Sequence, residues 1–316
     1  MEYSIYKLDF QTGVHFGTGM LNESAYTFQA DQLFSALYIE ALKMGAEQDF
    51  YQAVKEGKLL FSDAFPYKNE QFMIPKPMIY VEPKEKGVSE QKKAYKKLKF
   101  LPIEELDAFL DGMMDITAED PMKDFGNFQQ QTMASVRGQE ETTPFRVGTF
   151  YFSKPDSNQK TGEPKPDCGL YIIVAHSDQE KKYLAEDLLN ALSFAGIGGK
   201  KSSGLGRYEL VEVRKIPKAF LERLDQPSDR NILLSSALPM DDELEQALED
   251  ASYLMQKRSG FVASAIYADE WRKKRDLYVF SAGSCFKNCF QGDIFDVSDG
   301  GRHPVYRYAK PLFMGV

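Results

Sequence analysis

The sequence predicts an α+β fold, and three features carry that expectation. The segments YSIYKLDF (3–10) and CGLYIIVAH (168–176) have strand character. Two other segments place apolar residues at helical spacing and stop at glycines. Once the insertions are set aside, the order along the first 215 residues is β-α-β-β-α-β, the ferredoxin-like order.

Residues 3–10 alternate, with Tyr3, Ile5 and Phe10 among the apolar positions. Gly13, Gly17 and Gly19 then break the chain into a loop. A helix is expected from about Asp31, because Ala30, Phe34, Leu37, Ala41 and Met44 share one face; Gly45 is a suitable stop. Short strand-like runs at 59–61 and 72–74 lead into a Pro-flanked charged insertion, 82–124. Residues 128–152 read as a long hairpin, with QTMASV and FRVGTFYF on either side of RGQEETTP. After the apolar strand 168–176, Ser177 and Glu180 make a capping-box pattern. The helix they introduce has Leu184, Leu188, Ala191 and Ala195 on one face. A glycine-rich loop and the strand RYELVEV complete the first domain, 1–215. Residues 216–228 form a connector. A second α+β domain, 229–316, is expected from the strand NILLSSALP, a helix from Asp241 to about Met255, and strands near 259–267, 276–285, 293–297 and 304–314.

Composition narrows the function. The longest strongly apolar run, Leu170 to Ala175, is far below the roughly 20 residues that span a bilayer. The first ten residues carry acids and alternate like a strand, unlike a signal peptide. Cys168, Cys285 and Cys289 form neither a paired framework nor a zinc pattern, which suits a reducing, cytoplasmic setting. With 39 basic and 47 acidic residues the net charge is −8, against a free-standing nucleic-acid binder. The charge is segregated, however: seven lysines stand against three glutamates between Glu82 and Lys99, and eight acids against one lysine between Glu104 and Asp124. Another acidic block starts at Asp241. Such blocks are either solvated faces or surfaces for different partners.

The segment AGIGGKKSSGLGRYEL (195–210) is the most informative. Five of the 23 glycines fall within residues 196–206, together with Lys200, Lys201, Ser202 and Ser203, and Arg207 follows. Glycines let a phosphate approach main-chain N–H groups, while lysines and serines supply charge and hydroxyl donors. The mononucleotide pattern G-x-x-x-x-G-K-[ST] fails, because Phe194 stands at its first glycine and Lys201 at its Ser/Thr. The dinucleotide pattern G-x-G-x-x-G fails at Lys201. Both of those loops also run from strand to helix, the reverse of this one. The plain alternative is a flexible loop kept soluble by its lysines.

This segment resembles the glycine loop of the RAMP superfamily, the RNA-binding subunits of CRISPR effector complexes. Residues 13–45 (GVHFGTGMLNESAYTFQADQLFSALYIEALKMG) resemble the N-terminal glycine segment and first helix of the type III subunit that caps the 5′ end of the guide RNA. QTMASVRGQEETTPFRVGTFYF (131–152) sits where that family carries a β-hairpin thumb. Residues 280–316, with a Gly-Ser turn and the run YRYAKP, resemble its C-terminal half. The resemblance is closest to the fourth subunit of type III-A (Csm) complexes. It implies two ferredoxin-like (RRM-like) domains, a grip on the 5′ repeat-derived tag of the CRISPR RNA, docking on the large polymerase-like subunit, and contact with a backbone RAMP subunit. It implies no catalysis, cofactor or metal. The RNA-binding residues it points to are His15 and Gly17, Arg137 and Arg146 in the thumb, Gly198, Gly199, Lys200, Lys201, Ser202, Ser203, Gly204 and Arg207 in the loop, and Arg307 and Lys310 near the C-terminus.

The rival reading is a metal-independent endoribonuclease of the same superfamily, which would need a histidine base and a cationic oxyanion stabiliser. Its candidates are His15 in the first glycine loop, His176 at the end of a buried strand, and His303 before Pro304. Metal-dependent cleavage lacks its motifs, since the sequence contains neither His-Asp nor Gly-Gly-Asp-Asp. Trp271, in ADEWRKKRD, either stacks a base beside Arg272 and Arg275 or is a half-buried anchor.

Overall fold

The computed structural model describes residues 1–82, 93, 96–114, 120–135, 142–155, 164–224, 226 and 228–316. In the first part of the chain, β1 (Glu2–Phe10) is followed by helices α1 (Ala30–Met44) and α2 (Glu47–Lys55). Short strands β2 (Leu59–Phe61), β3 (Phe65–Lys68), β4 (Gln71–Pro75) and β5 (Phe100–Pro102) come next. A hairpin, β6 (Gly126–Ser135) and β7 (Thr143–Phe152), precedes β8 (Cys168–His176), the long helix α3 (Gln179–Ala195) and β9 (Tyr208–Glu212).

One mixed-connection, antiparallel sheet organises these elements in the order β5-β4-β3-β8-β1-β9. β1 pairs with β8 from Glu2↔His176 to Leu8↔Leu170, and with β9 from Tyr6↔Glu212 to Phe10↔Tyr208. β2 and β3 share the other edge of β8, interrupted at residues 62–64. The unbroken apolar run of β8 has a physical cause: both of its faces are covered. Leu170, Ile172 and Val174 point towards Phe34, Leu37, Leu188 and Leu192 of the helices. Tyr171, Ile173 and Ala175 point the other way, towards Ile232, Leu234, Leu312 and Met314 of the C-terminal part. Each large apolar side chain buried in this way contributes roughly 1.5–3 kcal/mol.

The helix ends follow the sequence with small shifts. Gly45 closes α1 in the left-handed region (φ 69°), its N–H donating to Ala41 O. α3 is capped by Asp178 rather than Ser177, the Asp178 carboxylate accepting from Lys181 N at 3.0 Å. Residues 82–124 are not a separate appendage where they are described: β5 extends the main sheet, and Leu106 and Phe109 enter its core. The connector is also packed, with Phe220 buried against Phe72 and Tyr171.

The C-terminal part contains β10 (Asn231–Leu233), β11 (Met255–Arg258), β12 (Leu277–Phe280), β13 (Cys285–Phe286), β14 (Asp293–Asp296), β15 (Tyr306–Ala309) and β16 (Phe313–Gly315). They assemble as three small sheets, β13-β10-β16, β11-β12 and β14-β15. The helix expected from Asp241 to Met255 is reduced to Leu244–Leu248. Glu249 turns extended (ψ 121°) and Asp250 takes a positive φ (52°), which together end it, and Met255 already belongs to β11. This part is joined to the first through shared core and through Asp63. The Asp63 carboxylate accepts Ala30 N, Ser236 N and Ser236 Oγ, each at 2.8 Å, so one buried acid tethers the start of α1 to residue 236. Among the described residues no helix is long and apolar enough to cross a membrane.

Candidate nucleic-acid interface

Two glycine segments meet where β1 ends and β9 begins. Gln11 N donates to Arg207 O (3.0 Å), Gly206 N to Gly13 O (2.9 Å) and Gly199 N to His15 O (2.8 Å). Such backbone-to-backbone contact demands glycine. A Cβ at Gly206 would lie 2.0 Å from Ile197 O, and one at Gly198 would lie 2.7 Å from His15 O, both at positive φ. Lys200 is itself left-handed (φ 58°) and opens a tight turn in which Ser203 N donates to Lys200 O and Gly204 N to Lys201 O, each at 2.9 Å. The turn leaves Ser202 and Ser203 exposed. The glycines thus do two jobs: 198, 199 and 206 lock the loop onto the first glycine segment, while Gly204 (φ 84°) faces open space.

The β6–β7 hairpin is fastened to the same place. Val14 and Phe150 exchange two backbone hydrogen bonds of 2.8 and 2.9 Å, and His15 Nδ1 lies 2.7 Å from Gly148 O. Gly148 N in turn donates to Leu21 O (2.9 Å). The Lys200 ammonium stands 4.7 Å from the centroid of the Phe145 ring, a cation–π contact that brings the loop against the hairpin. Arg146, exposed, is the next residue on the strand. Successive strand residues face opposite ways, so Arg146 projects from the hairpin face away from Phe145, while Lys200, Lys201 and Arg207 belong to the glycine loop and its exit. Among the described residues none of the four has an ion-pair partner, whereas Lys55, Lys154, Lys182, Arg258, Lys287 and Arg302 all do. In an acidic chain, cations without ion-pair partners beside a glycine loop have the chemistry that suits an anion.

Of the sequence-predicted residues, the structure brings together His15, Gly17 and the loop residues Gly198, Gly199, Lys200, Lys201, Ser202, Ser203, Gly204 and Arg207, with Arg146 exposed on the adjoining hairpin. His15 is buried and supports the surface from beneath; Gly17 is exposed. Arg137 lies outside the described residues. Arg307 and Lys310 are corrected. Arg307 is only 5% exposed and pairs with Asp31 of α1, which also receives Arg258 at 2.7 and 3.1 Å. Lys310 is 6% exposed and donates to the carbonyls of Lys55 and Gly292, each at 3.2 Å. Both cations bind protein groups, so neither is presented to a phosphate. The sequence motif is silent about the acid and carbonyls that claim them.

The remaining candidates are dispersed. His176 is buried against Ser4 Oγ at 3.1 Å, and burial lowers its pKa. His303 contacts Ser264 Oγ at 2.9 Å. Trp271 is not half-buried: 83% of it is exposed, edge-on to Phe261 with centroids 6.0 Å apart. Burial pushes the thiols of Cys168 and Cys285 up to about 11, away from reactivity. Among the described residues no group of three or more His, Cys, Asp or Glu side chains is placed to hold a metal ion. Phe145, under Lys200, was missed because nothing in a strand pattern shows which aromatic meets a cation.

Comparison with known proteins gives this arrangement a class. A family model described as the CRISPR Csm4 C-terminal domain matches residues 226–316. The fold is similar to the crystal structure of a Csm3–Csm4 subcomplex of the type III-A CRISPR-Cas interference complex, with a TM-score of 0.64 at 17% identity over 100% of this chain and 99% of that one. It is also similar to a Csm1–Csm4 cassette in complex with pppApA, with a TM-score of 0.59 at 18% identity over 100% and 98% of the two chains. The class is a subunit of a CRISPR effector complex. At the level of sequence the chain is 39% identical, over 318 residues covering 100% of it and 98% of the relative, to the CRISPR system Cms protein Csm4 of Mycobacterium tuberculosis. It is 37% identical to that of Streptococcus thermophilus over 99% and 98% of the two chains. The chain belongs to the Csm4 family of type III-A systems.

Proposed function

We propose that this chain is a non-catalytic subunit that holds the 5′ repeat-derived tag of the CRISPR RNA and bridges the large Csm1 subunit to the Csm3 backbone. The observation that carries the reading is the glycine loop that presents Lys200, Lys201 and Arg207, none with an ion-pair partner among the described residues, beside the hairpin that carries Arg146. The strand order β9-β1-β8-β2/β3, with α1 and α3 against one face, supports a ferredoxin-like first unit, and β6–β7 is its thumb. The solved structures that contain Csm4 relatives with Csm1 or Csm3 support the two protein partners. Exposed acids such as Glu104 and Glu105 suit protein docking rather than RNA. The three histidines sit in separate surroundings, each beside its own polar neighbour, which favours holding RNA over cutting it.

Salt titration tests the reading. Phosphate contacts position RNA without reading bases, so loss of Lys200 and Lys201 should weaken binding to all RNA sequences about equally. Each phosphate contact on a single strand contributes roughly −0.7 to the slope of log K against log salt, so Lys200→Ala with Lys201→Ala should flatten the slope by up to about 1.4. An unchanged affinity and slope in the assembled complex would mean that the guide is held elsewhere. Specific cleavage of repeat RNA, abolished by His15→Ala, would replace the reading with the endoribonuclease.

A further inference from the structure

We infer that Phe194 is a stacking platform for one base of the bound RNA strand, with Arg207 holding the adjoining phosphate. The inference rests on the RNA-holding role proposed above. Phe194 occupies the last turn of α3, whose inner face buries Leu188, Leu189 and Leu192. Its ring faces outward and is 81% exposed. A solitary exposed phenylalanine is ordinary. This one borders a shallow pocket of about 480 Å³ that Gln11, Asn190, Ser193, Arg207 and Glu209 also line.

The position points to a nucleobase. Phe194 stands two residues before Gly196, whose positive φ (79°) and close packing on Leu205 O start the glycine loop, and Arg207 stands where that loop ends. Pocket and phosphate surface are therefore continuous through one guanidinium. Both groups are held on fixed backbone: Phe194 on a 17-residue helix, Arg207 by Gln11 N→Arg207 O at 3.0 Å and Arg207 N→Thr12 Oγ1 at 3.3 Å. Tyr208 and Leu210 add apolar wall, while Gln11, Asn190 and Glu209 supply carboxamides and a carboxylate, groups that hydrogen-bond the edges of a base while the ring covers its face. A protein-docking hot spot instead surrounds its aromatic anchor with well-packed apolar contacts. Here Leu210 and Tyr208 are the only apolar walls beside Phe194, and the exposed Asn190 and Glu209 interrupt them, so that packed surround is incomplete.

The test uses the full-length chain, alone and in the assembled complex, with tag RNAs carrying 2-aminopurine at one position at a time. One position should change fluorescence on binding. Phe194→Ala should abolish that change and raise Kd about tenfold, and Phe194→Tyr should restore both. The inference is overturned if wild type binds RNA while Phe194→Ala leaves Kd and every fluorescence signal unchanged. It is equally overturned if Phe194→Ala releases another subunit at unaltered RNA signals, since the ring then docks protein. If wild type binds no RNA, the RNA-holding role falls and the platform with it.

Discussion

The Nδ1 of His15 lies 2.7 Å from the carbonyl oxygen of Gly148, so the first glycine segment is bonded to the β6–β7 hairpin through a buried imidazole. With Gly148 O as acceptor, Nδ1 carries the proton. The same residue's carbonyl accepts from Gly199, which makes His15 the junction of hairpin, first loop and glycine loop.

Removing that junction should loosen the hairpin. His15→Ala leaves a buried carbonyl without its donor, at a cost of about 1–3 kcal/mol. The expected outcome is faster amide exchange at residues 143–150, with RNA affinity reduced but the salt slope kept, because no cation has been removed. His15→Asn, which can still present an N–H, should recover part of the protection.

The glycines of the loop should separate into two groups. Gly206→Ala drives a Cβ to within 2.0 Å of Ile197 O at a positive φ, and the backbone there has nowhere to move. A loss of at least ~2 kcal/mol is expected by chemical denaturation. Gly204→Ala meets nothing within 4 Å and suffers only the left-handed strain, about 1 kcal/mol. Equal effects would contradict the locking role assigned to Gly206.

Much of the first half was legible because its signals are local. Alternation marked β1, helical spacing marked α1 and α3, and Gly45 and Gly196 stop their helices where the sequence places them. The continuous apolar run of β8 marked a strand covered on both faces. In the C-terminal half the expected runs from Asn231 and near 276–285, 293–297 and 304–314 do hold strands, but 259–267 does not and β11 lies at 255–258 instead, because strands of two to four residues are too short for a period to fix their bounds. The site divides the same way. A cluster of glycines with lysines is visible along the chain, but whether a cation is free depends on what lies across the fold. Arg207 and Arg307 look alike in sequence; only the second meets Asp31, some 276 positions away.

That pairing makes its own prediction. Asp31 is buried and holds both Arg258 and Arg307, so Asp31→Ala leaves Arg307 desolvated without an anion. Breaking a buried pair from one side costs about 3–5 kcal/mol. A large fall in the denaturation midpoint is expected. Arg307→Ala should also destabilise, yet leave the salt slope of RNA binding as in wild type. A flattened slope would return Arg307 to the phosphate surface.

Asp63 should impose a pH dependence on stability. Full burial is the largest influence on its carboxyl and pushes its pKa up to about 6, against the hydrogen bonds from Ala30 and Ser236 that pull it down. An unfolded aspartate ionises near 4, so the native state holds this proton more tightly between about pH 4 and 6. Where the native state binds more protons, stability falls as pH rises. The contribution of Asp63 is therefore complete below about pH 4, declines through pH 6 and is flat above, a difference of about 3 kcal/mol for two pH units. Asp63→Asn carries no titrating group. Its Oδ1 still accepts from Ala30 N and Ser236 N, and its Nδ2 can donate to Ser236 Oγ, so the tether between α1 and the C-terminal part survives. Denaturation of both proteins from pH 4 to 7.5 should show the wild type losing stability relative to the variant as pH rises to 6. Parallel curves would mean that Asp63 stays ionised in the fold. Asp63→Ala, which removes the acceptors altogether, should be the least stable of the three at every pH, because Ala30 N and the Ser236 groups are then buried without partners.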